Sequence, residues 1–201
     1  ASDVYKRQTF TGWRIPEALI RRGRGLLEQM HVCPTRKVRA LSRGEKQRVA
    51  IARAMLLKPG IILADEPTPG MDLEMALEAL QCFRELADEG RAVVLITHDI
   101  DLAFQVADRV AVFYAGTTVE TAPSGDFLRG PEALRHPYSK ALWNALPQNG
   151  FQPVPGFQPY AKALPKGCLY APRCPWRTEE CGGEIPMREL RGGMVRCIHA
   201  T

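Results

Sequence analysis

Asp65 and Glu66 follow directly on Ile61-Ile62-Leu63-Ala64, and that placement is where chemistry could begin. A continuous apolar run of strand length is the pattern of a strand buried on both faces of a parallel sheet. Open α/β sheets bind their ligands beyond the carboxyl ends of such strands. A carboxylate there can hold a magnesium ion, and its neighbour can polarise a water. An acidic pair alone is more often a merely solvated strand end, so the flanking residues decide. Upstream, Ser42-x-x-Glu45 precedes an apolar-periodic segment, which is a capping box with Ser42 at the N-cap. A helix start with free N–H groups also binds anions. Downstream, a second apolar run, Ala92 to Thr97, ends in His98-Asp99. A histidine at that end of a buried strand, beside the acidic pair, is placed to meet a phosphate or an attacking water.

The elements that must position these groups are legible from periodicity. Ile15 to Met30 reads as a helix with Pro16 in its first turn and Leu19, Ile20, Leu26, Leu27 and Met30 as apolar positions. Cys33-Pro34-Thr35 is a break, with Cys33 a small buried or loop residue. Val49 to Leu56 keeps helical spacing, and Lys58-Pro59-Gly60 ends that helix. Leu73 to Glu89 is a helix with Leu77, Leu80, Phe83, Leu86 and Ala87 as its stripe, Cys82 packed within it and Gly90 as its stop. With Ala92 to Thr97 this makes a strand–helix–strand unit with a parallel crossover. Leu102 to Ala107 is a short helix. Arg109 to Tyr114 and Thr117 to Thr121, joined through Ala115-Gly116, form an antiparallel edge hairpin. Half of the 16 prolines follow Leu146, so an irregular appendage is expected there rather than more sheet.

The 201 residues suffice for one sizeable core and a small appendage. A formal charge of +5, with basic residues scattered rather than striped, does not suggest nucleic-acid binding and is compatible with an anionic membrane surface. No apolar run approaches the roughly 18 residues that span a bilayer, and no signal peptide or internal repeat is evident. Asp3-Val4-Tyr5-Lys6-Arg7-Gln8 reads as the translation of a sequencing-library adapter end, which sets residues 1–8 apart from the fold. No G-x-x-x-x-G-K-S/T loop, the element that cradles β- and γ-phosphates, occurs in the sequence. The chain by itself is therefore expected not to hydrolyse ATP.

Taken together, the motifs resemble the nucleotide-binding subunit of ABC transporters. Leu41-Ser42-Arg43-Gly44-Glu45 is similar to the family's signature, usually Leu-Ser-Gly-Gly-Gln, and Gln47-Arg48-Val49-Ala50-Ile51-Ala52-Arg53-Ala54 to the helix after it. Ile62 to Glu66 resembles Walker B with its catalytic glutamate, Pro69 to Asp72 the D-loop, and His98 the switch histidine. Arg43 and Glu45 depart from the usual signature. Glu45 puts a negative charge near the phosphate position, and Arg43 is placed to offset it. His136-Pro137-Tyr138-Ser139 resembles the element that marks the oligopeptide, dipeptide and nickel importers; it is also a helix start with Pro137 in the first turn.

The resemblance implies an α/β, P-loop NTPase-like parallel sheet with helices over residues 9–130 and a small Cys/Pro-rich extension over 131–201. It implies ATP hydrolysis coupled to import of peptides or nickel, with ATP and Mg²⁺ as cofactors. Asp65 would hold Mg²⁺, Glu66 would polarise water, and His98 would sense the γ-phosphate. Ser42, Arg43, Gly44, Glu45 and Gln47 would face nucleotide held by a second ATPase subunit, with Asp72 passing the signal across the dimer. Membrane permeases, and through them a substrate-binding protein, would be the further partners, at the cytoplasmic face of the membrane. Cys168, Cys174, Cys181 and Cys197 crowd the last 34 residues. In a reducing compartment such a cluster suits zinc or iron–sulfur, though it lacks C-x₂-C knuckles. The resemblance points to a 4Fe–4S cluster, with zinc and unliganded thiols as alternatives. Two other classes compete: a soluble non-transport ABC ATPase, and a metal-binding regulatory fragment without ATPase activity.

Overall fold

The computed structural model describes residues 15–160 and 162–201, so the reading of residues 1–8 lies outside the described residues. The chain divides into two compact units, Ala1–Val106 and Ala107–Thr201.

In the first unit, α1 (Glu17–Gln29) is followed by α2 (Arg43–Leu57), β1 (Ile61–Asp65), α3 (Leu73–Asp88), β2 (Ala92–Ile96) and α4 (Ile100–Val106). The expected starts and stops have physical counterparts. Pro16 caps α1 rather than entering its first turn. Ser42 closes a full capping box on α2. Lys58, not Gly60, takes the left-handed conformation that ends α2, at φ 47°. Asp72 caps α3, its carboxylate accepting from the Met75 amide at 2.9 Å. Strands β1 and β2 pair in parallel from Ile61↔Ala92 to Asp65↔Ile96, the crossover that the sequence pattern predicts.

The strands are not buried on both faces as expected. Ile62 and Ala64 turn into a core with Met30, Val32, Ile51, Met55, Leu80, Phe83 and Leu86. The alternate residues face outward, with Ile61 73 % and Leu63 69 % exposed. Side chains alternate across a strand, so each face needs its own cover. Among the described residues the core gathers on one side of this two-stranded sheet.

The second unit is built on a four-stranded sheet in the order β3 (Arg109–Tyr114), β4 (Thr117–Pro123), β6 (Gly193–Val195), β5 (Arg188–Leu190). Strands β3 (Arg109–Tyr114) and β4 (Thr117–Pro123) are joined through Ala115 and Gly116, at φ 47° and 80°, the conformation of a two-residue hairpin turn. Helices α5 (Ser124–Arg129) and α6 (Pro137–Asn144) follow. Two expectations are corrected here. The hairpin is not a free edge, because β4 pairs on its other side with β6 (Gly193–Val195). The tail is not wholly irregular either: β5 (Arg188–Leu190) and β6 form a second hairpin about Arg191-Gly192, at φ 49° and 72°. Three-residue strands are too short to show an alternation in sequence, while the Arg-Gly turn between them carries the signal that the proline count concealed.

Candidate functional site

Glu66 stands one residue past the carboxyl end of β1, at φ 45°, a left-handed backbone that costs a glutamate on the order of 1–2 kcal/mol. Its neighbours hold it there. The Glu66 amide donates to the Ile96 carbonyl at 2.9 Å, which continues the ladder to β2. Oε1 accepts from the His98 ring Nδ1 at 2.8 Å and from the His98 amide at 3.2 Å. The hydrogen bond and the charge of Glu66 raise the His98 pKa above the ordinary histidine range, although the ring is largely exposed. Oε2 is buried and has no hydrogen-bond partner among the described residues. A buried carboxylate oxygen left in that state is a place where a water or another donor is expected. Asp65, the residue before it, is exposed at the strand's end.

The signature-like turn packs onto the loop beyond Glu66. A Cβ on Gly44 would come within 2.7 Å of the Gly70 carbonyl, so only glycine fits that approach, and the Arg43 side chain lies along Gly70. Gln47, one turn into α2, donates its Nε2 to the Glu66 carbonyl at 3.0 Å. The negative charge of Glu45 is already engaged. Its Oε2 accepts from the Ser42 amide at 2.7 Å and its Oε1 from Arg36 at 2.5 Å, and these interactions, the Ser42 amide first, hold its pKa below the usual carboxylate range. Arg36, which sequence reasoning passed over, is thus the counter-charge to Glu45, while Arg43 lies along the loop. The first unit therefore brings Gln47, Glu66 and His98 into direct contact, with the Gly44 end of α2 against the same loop. Asp72 lies beyond that loop as the cap of α3.

The four tail cysteines belong to the second unit. Cys168 and Cys181 are adjacent, the Cys168 amide donating to the Cys181 carbonyl at 2.8 Å. A Cβ on Gly167, at φ 75°, would fall 2.2 Å from that carbonyl, so the close approach requires glycine. Burial is the leading cause that raises Cys168, Cys174 and Cys197, the last to about 11, and the neighbouring thiols push in the same direction. The four sulfurs thus share one neighbourhood. They are free thiols, and among the described residues no group of three or more His, Cys, Asp or Glu side chains is arranged to hold a metal ion.

His136 is buried, with its Nδ1 accepting from the Tyr138 amide as the cap of α6. Around it lies a network that sequence reasoning missed. Glu120 is wholly buried and accepts from the amides of Arg135 and His136 and from the Arg135 guanidinium. Arg135 also reaches Asp126 at 2.7 Å, the Leu190 carbonyl at 2.6 Å and the Arg191 carbonyl.

Comparison with known proteins decides the family. Residues 16–69 match the ABC transporter family, and residues 119–181 match the family described as oligopeptide/dipeptide transporter, C-terminal region. The chain belongs to the ABC transporter ATP-binding proteins of the oligopeptide/dipeptide class. It is 40% identical to the dipeptide transport ATP-binding protein DppD of Escherichia coli (strain K12), over 73% of this chain and 46% of that one. It is 37% identical to the di/tripeptide transport ATP-binding protein DppF of Pseudomonas aeruginosa (strain UCBPP-PA14), over 79% of this chain and 51% of that one. The chain thus spans about half the length of the curated relatives it matches. Among solved structures, the dimeric bacterial ABC transporter cassette MJ0796 aligns with a TM-score of 0.51 at 30% identity, covering 60% of this chain and 52% of that one. The ADP- and Pi-bound post-hydrolysis state of the same cassette aligns equally well. The fold is the α/β fold of these ATPases, and the family implies ATP and Mg²⁺ as ligands. Among the described residues no helix is long and apolar enough to cross a membrane.

Proposed function

We propose that this chain is the Walker B and signature portion of an ATPase that drives import of peptides. The observation that carries the reading is the state of Glu66. One carboxylate oxygen is fixed by His98, and the other is buried without a partner at the carboxyl end of a parallel strand. A general base must be oriented by a neighbour and must have a free lone pair facing the proton that it takes. His98 supplies the orientation and the unpartnered Oε2 supports the second condition, so in this reading Glu66 orients and polarises the attacking water. His98 holds the Glu66 carboxylate in place and reads the γ-phosphate. Asp65, exposed beside it, would supply an oxygen ligand to Mg²⁺, which when bound would neutralise charge on the transferred phosphoryl oxygens.

Ser42 and Gly44 present the N-terminus of α2 to phosphate held by a second copy or a paralogous subunit, and Asp72 carries the signal across that dimer. The ion pair between Arg36 and Glu45 keeps the unusual signature carboxylate from repelling phosphate. Membrane permeases, supplied by a substrate-binding protein, are the further partners, at the cytoplasmic face of the membrane. The names of the relatives, dipeptide and di/tripeptide transport proteins, favour peptides over nickel as cargo.

The test is Glu66→Gln in a longer ATPase that joins these residues to a G-x-x-x-x-G-K-S/T loop. ATP binding is retained and turnover falls by at least about 100-fold, the range over which a positioned base acts. Turnover within a few-fold of the unaltered enzyme rejects Glu66 as the base. For the tail, four thiols, Cys181 and Cys197 buried and Cys168 and Cys174 half-buried, are of the donor type that a 4Fe–4S cluster or zinc takes, once they are drawn together around it. Metal binding would lower the raised thiol pKa values by stabilising thiolate. Iron and sulfide, or zinc, should co-purify anaerobically in about one cluster or ion per chain. Metal-free protein with four titratable thiols would leave them as packing.

A further inference from the structure

Gln47 ties the signature helix directly to Glu66. Its Nε2 donates to the Glu66 carbonyl at 3.0 Å across 19 residues of sequence. Ordering so long a side chain costs rotamer entropy, so the bond fixes something worth fixing. What it fixes is unusual backbone. Glu66 is left-handed at φ 45°, with its N–H bound to β2 through Ile96 and its C=O bound to α2 through Gln47. Held on one side only, the peptide after Glu66 could rotate, the residue could relax to a negative φ, and its carboxylate would swing away from His98. The same helix meets the same loop a second time, where Gly44 lies against the Gly70 carbonyl. Helix α2 therefore grips the segment 66–70 at both ends.

We propose that Gln47 is a positioning residue for Glu66, holding its left-handed backbone so that the carboxylate stays aimed beside His98. The inference rests on the reading of Glu66 as the water-polarising base, and it assigns the Gln47 amide to the chain's own Glu66 rather than to nucleotide. One consequence follows for the whole site. The helix whose N-terminus bears Ser42 and Gly44 also sets the geometry of Glu66 in the same chain. A ligand that grips the helix end and the carboxylate that acts on water then share one rigid connection, which is what coupling between two sites requires.

The variant is Gln47→Met, similar in length and without a donor. In the 201-residue chain, the one-bond Cα–Hα coupling of Glu66 separates positive from negative φ. It moves to the negative-φ range in the variant, and an unchanged coupling overturns the proposal. In the longer ATPase, kcat falls about 10- to 100-fold with KM for ATP within about twofold, as expected for misplacement of a reacting group. A raised KM with kcat preserved overturns it, because Gln47 would then be a nucleotide contact. Should Gln47→Met fail to fold, the unaltered chain decides: Gln47 carboxamide protons that exchange as fast as those of free glutamine overturn the bond, and slowed exchange supports it. Glu66→Gln keeps the two readings separable. If that variant retains turnover, the role of Glu66 as base fails, while a Gln47-dependent φ at Glu66 still stands.

Discussion

Glu66 in the first unit and Glu120 in the second are both held by specific partners, yet they are held in opposite ways. Glu120 has no exposure, and its oxygens accept from two backbone amides and a guanidinium. Its backbone is strand, beside the register shift opposite Val112 and Phe113. Glu66 sits on strained backbone, shares one oxygen with a largely exposed histidine and leaves the other without a partner. Burial alone would have ranked Glu120 as the more unusual acid. Satisfaction ranks them the other way. Glu120, with both oxygens bonded, rigidifies a core, although His136 Nε2 and Ser139 Oγ in the same unit are buried without a partner among the described residues. An unbonded carboxylate oxygen at a strand end is available for chemistry.

The largest expected effect breaks the completed network. Arg135→Ala leaves Glu120 and Asp126 as buried carboxylates without their cation, and also frees the Leu190 and Arg191 carbonyls that anchor the β5–β6 hairpin. Removing one partner of a buried ion pair costs about 3–5 kcal/mol. Urea denaturation followed by Trp143 fluorescence should show a loss of that size. A loss below about 1 kcal/mol would mean that the network is solvated and that the contrast with Glu66 is not one of burial.

Next in size is a pH effect confined to the second unit. Burial pushes His136 down to about 4, against about 6.5 for an ordinary histidine. Because its folded pKa is depressed, the unfolded chain takes up a proton first as pH falls. Stability is intact above about pH 6.5 and falls progressively to about pH 4, by about 3 kcal/mol in all. His136→Gln removes the titration, so the stability of the unaltered protein should fall more steeply than the variant's between those pH values, with equal slopes above and below them. Equal slopes within that range as well would show that His136 is already hydrated in the folded state.

Legibility in the sequence followed the same division. The first unit could be read almost residue by residue, because its information is local. Ser42 and Glu45 announce a cap three residues apart, and the apolar runs announce strands, whereas the cap that Asp72 puts on the next helix was not read. The left-handed φ of Glu66 carries no such signal, since glycine would be the expected residue there, and the bond from Gln47 joins residues that no periodicity connects. In the second unit the informative contacts are long-range. Arg135 reaches carbonyls more than fifty positions away, and β4 finds its second neighbour in a three-residue strand near the C-terminus. An exposed-looking Arg-His-Pro and a Glu in a polar strand give no hint that both are buried together. Arg36 lies nine positions before Glu45 and outside the motif, whose own cation, Arg43, was the expected counter-charge.

The smallest expected effect concerns the outer face of β1 and β2, where the sequence predicted burial and the structure shows exposure. Leu63 is 69 % exposed and its neighbour in register, Val94, is 50 % exposed. In this chain Leu63→Lys removes no packed contact, so its stability should change by no more than about 0.5 kcal/mol, as for ordinary surface positions. The apolar run itself argues that the face is built to be covered, because strands buried on both sides carry such runs and half-solvated strands alternate. In the longer ATPase the same substitution should therefore become costly, on the order of several kcal/mol, because a lysine would be buried without a partner. The difference between the two backgrounds is the measurement. A small effect in both would mean that the outer face of β1 is solvent-facing in the complete protein, and Glu66 would then stand at the end of an edge strand open to water rather than at the end of a buried one.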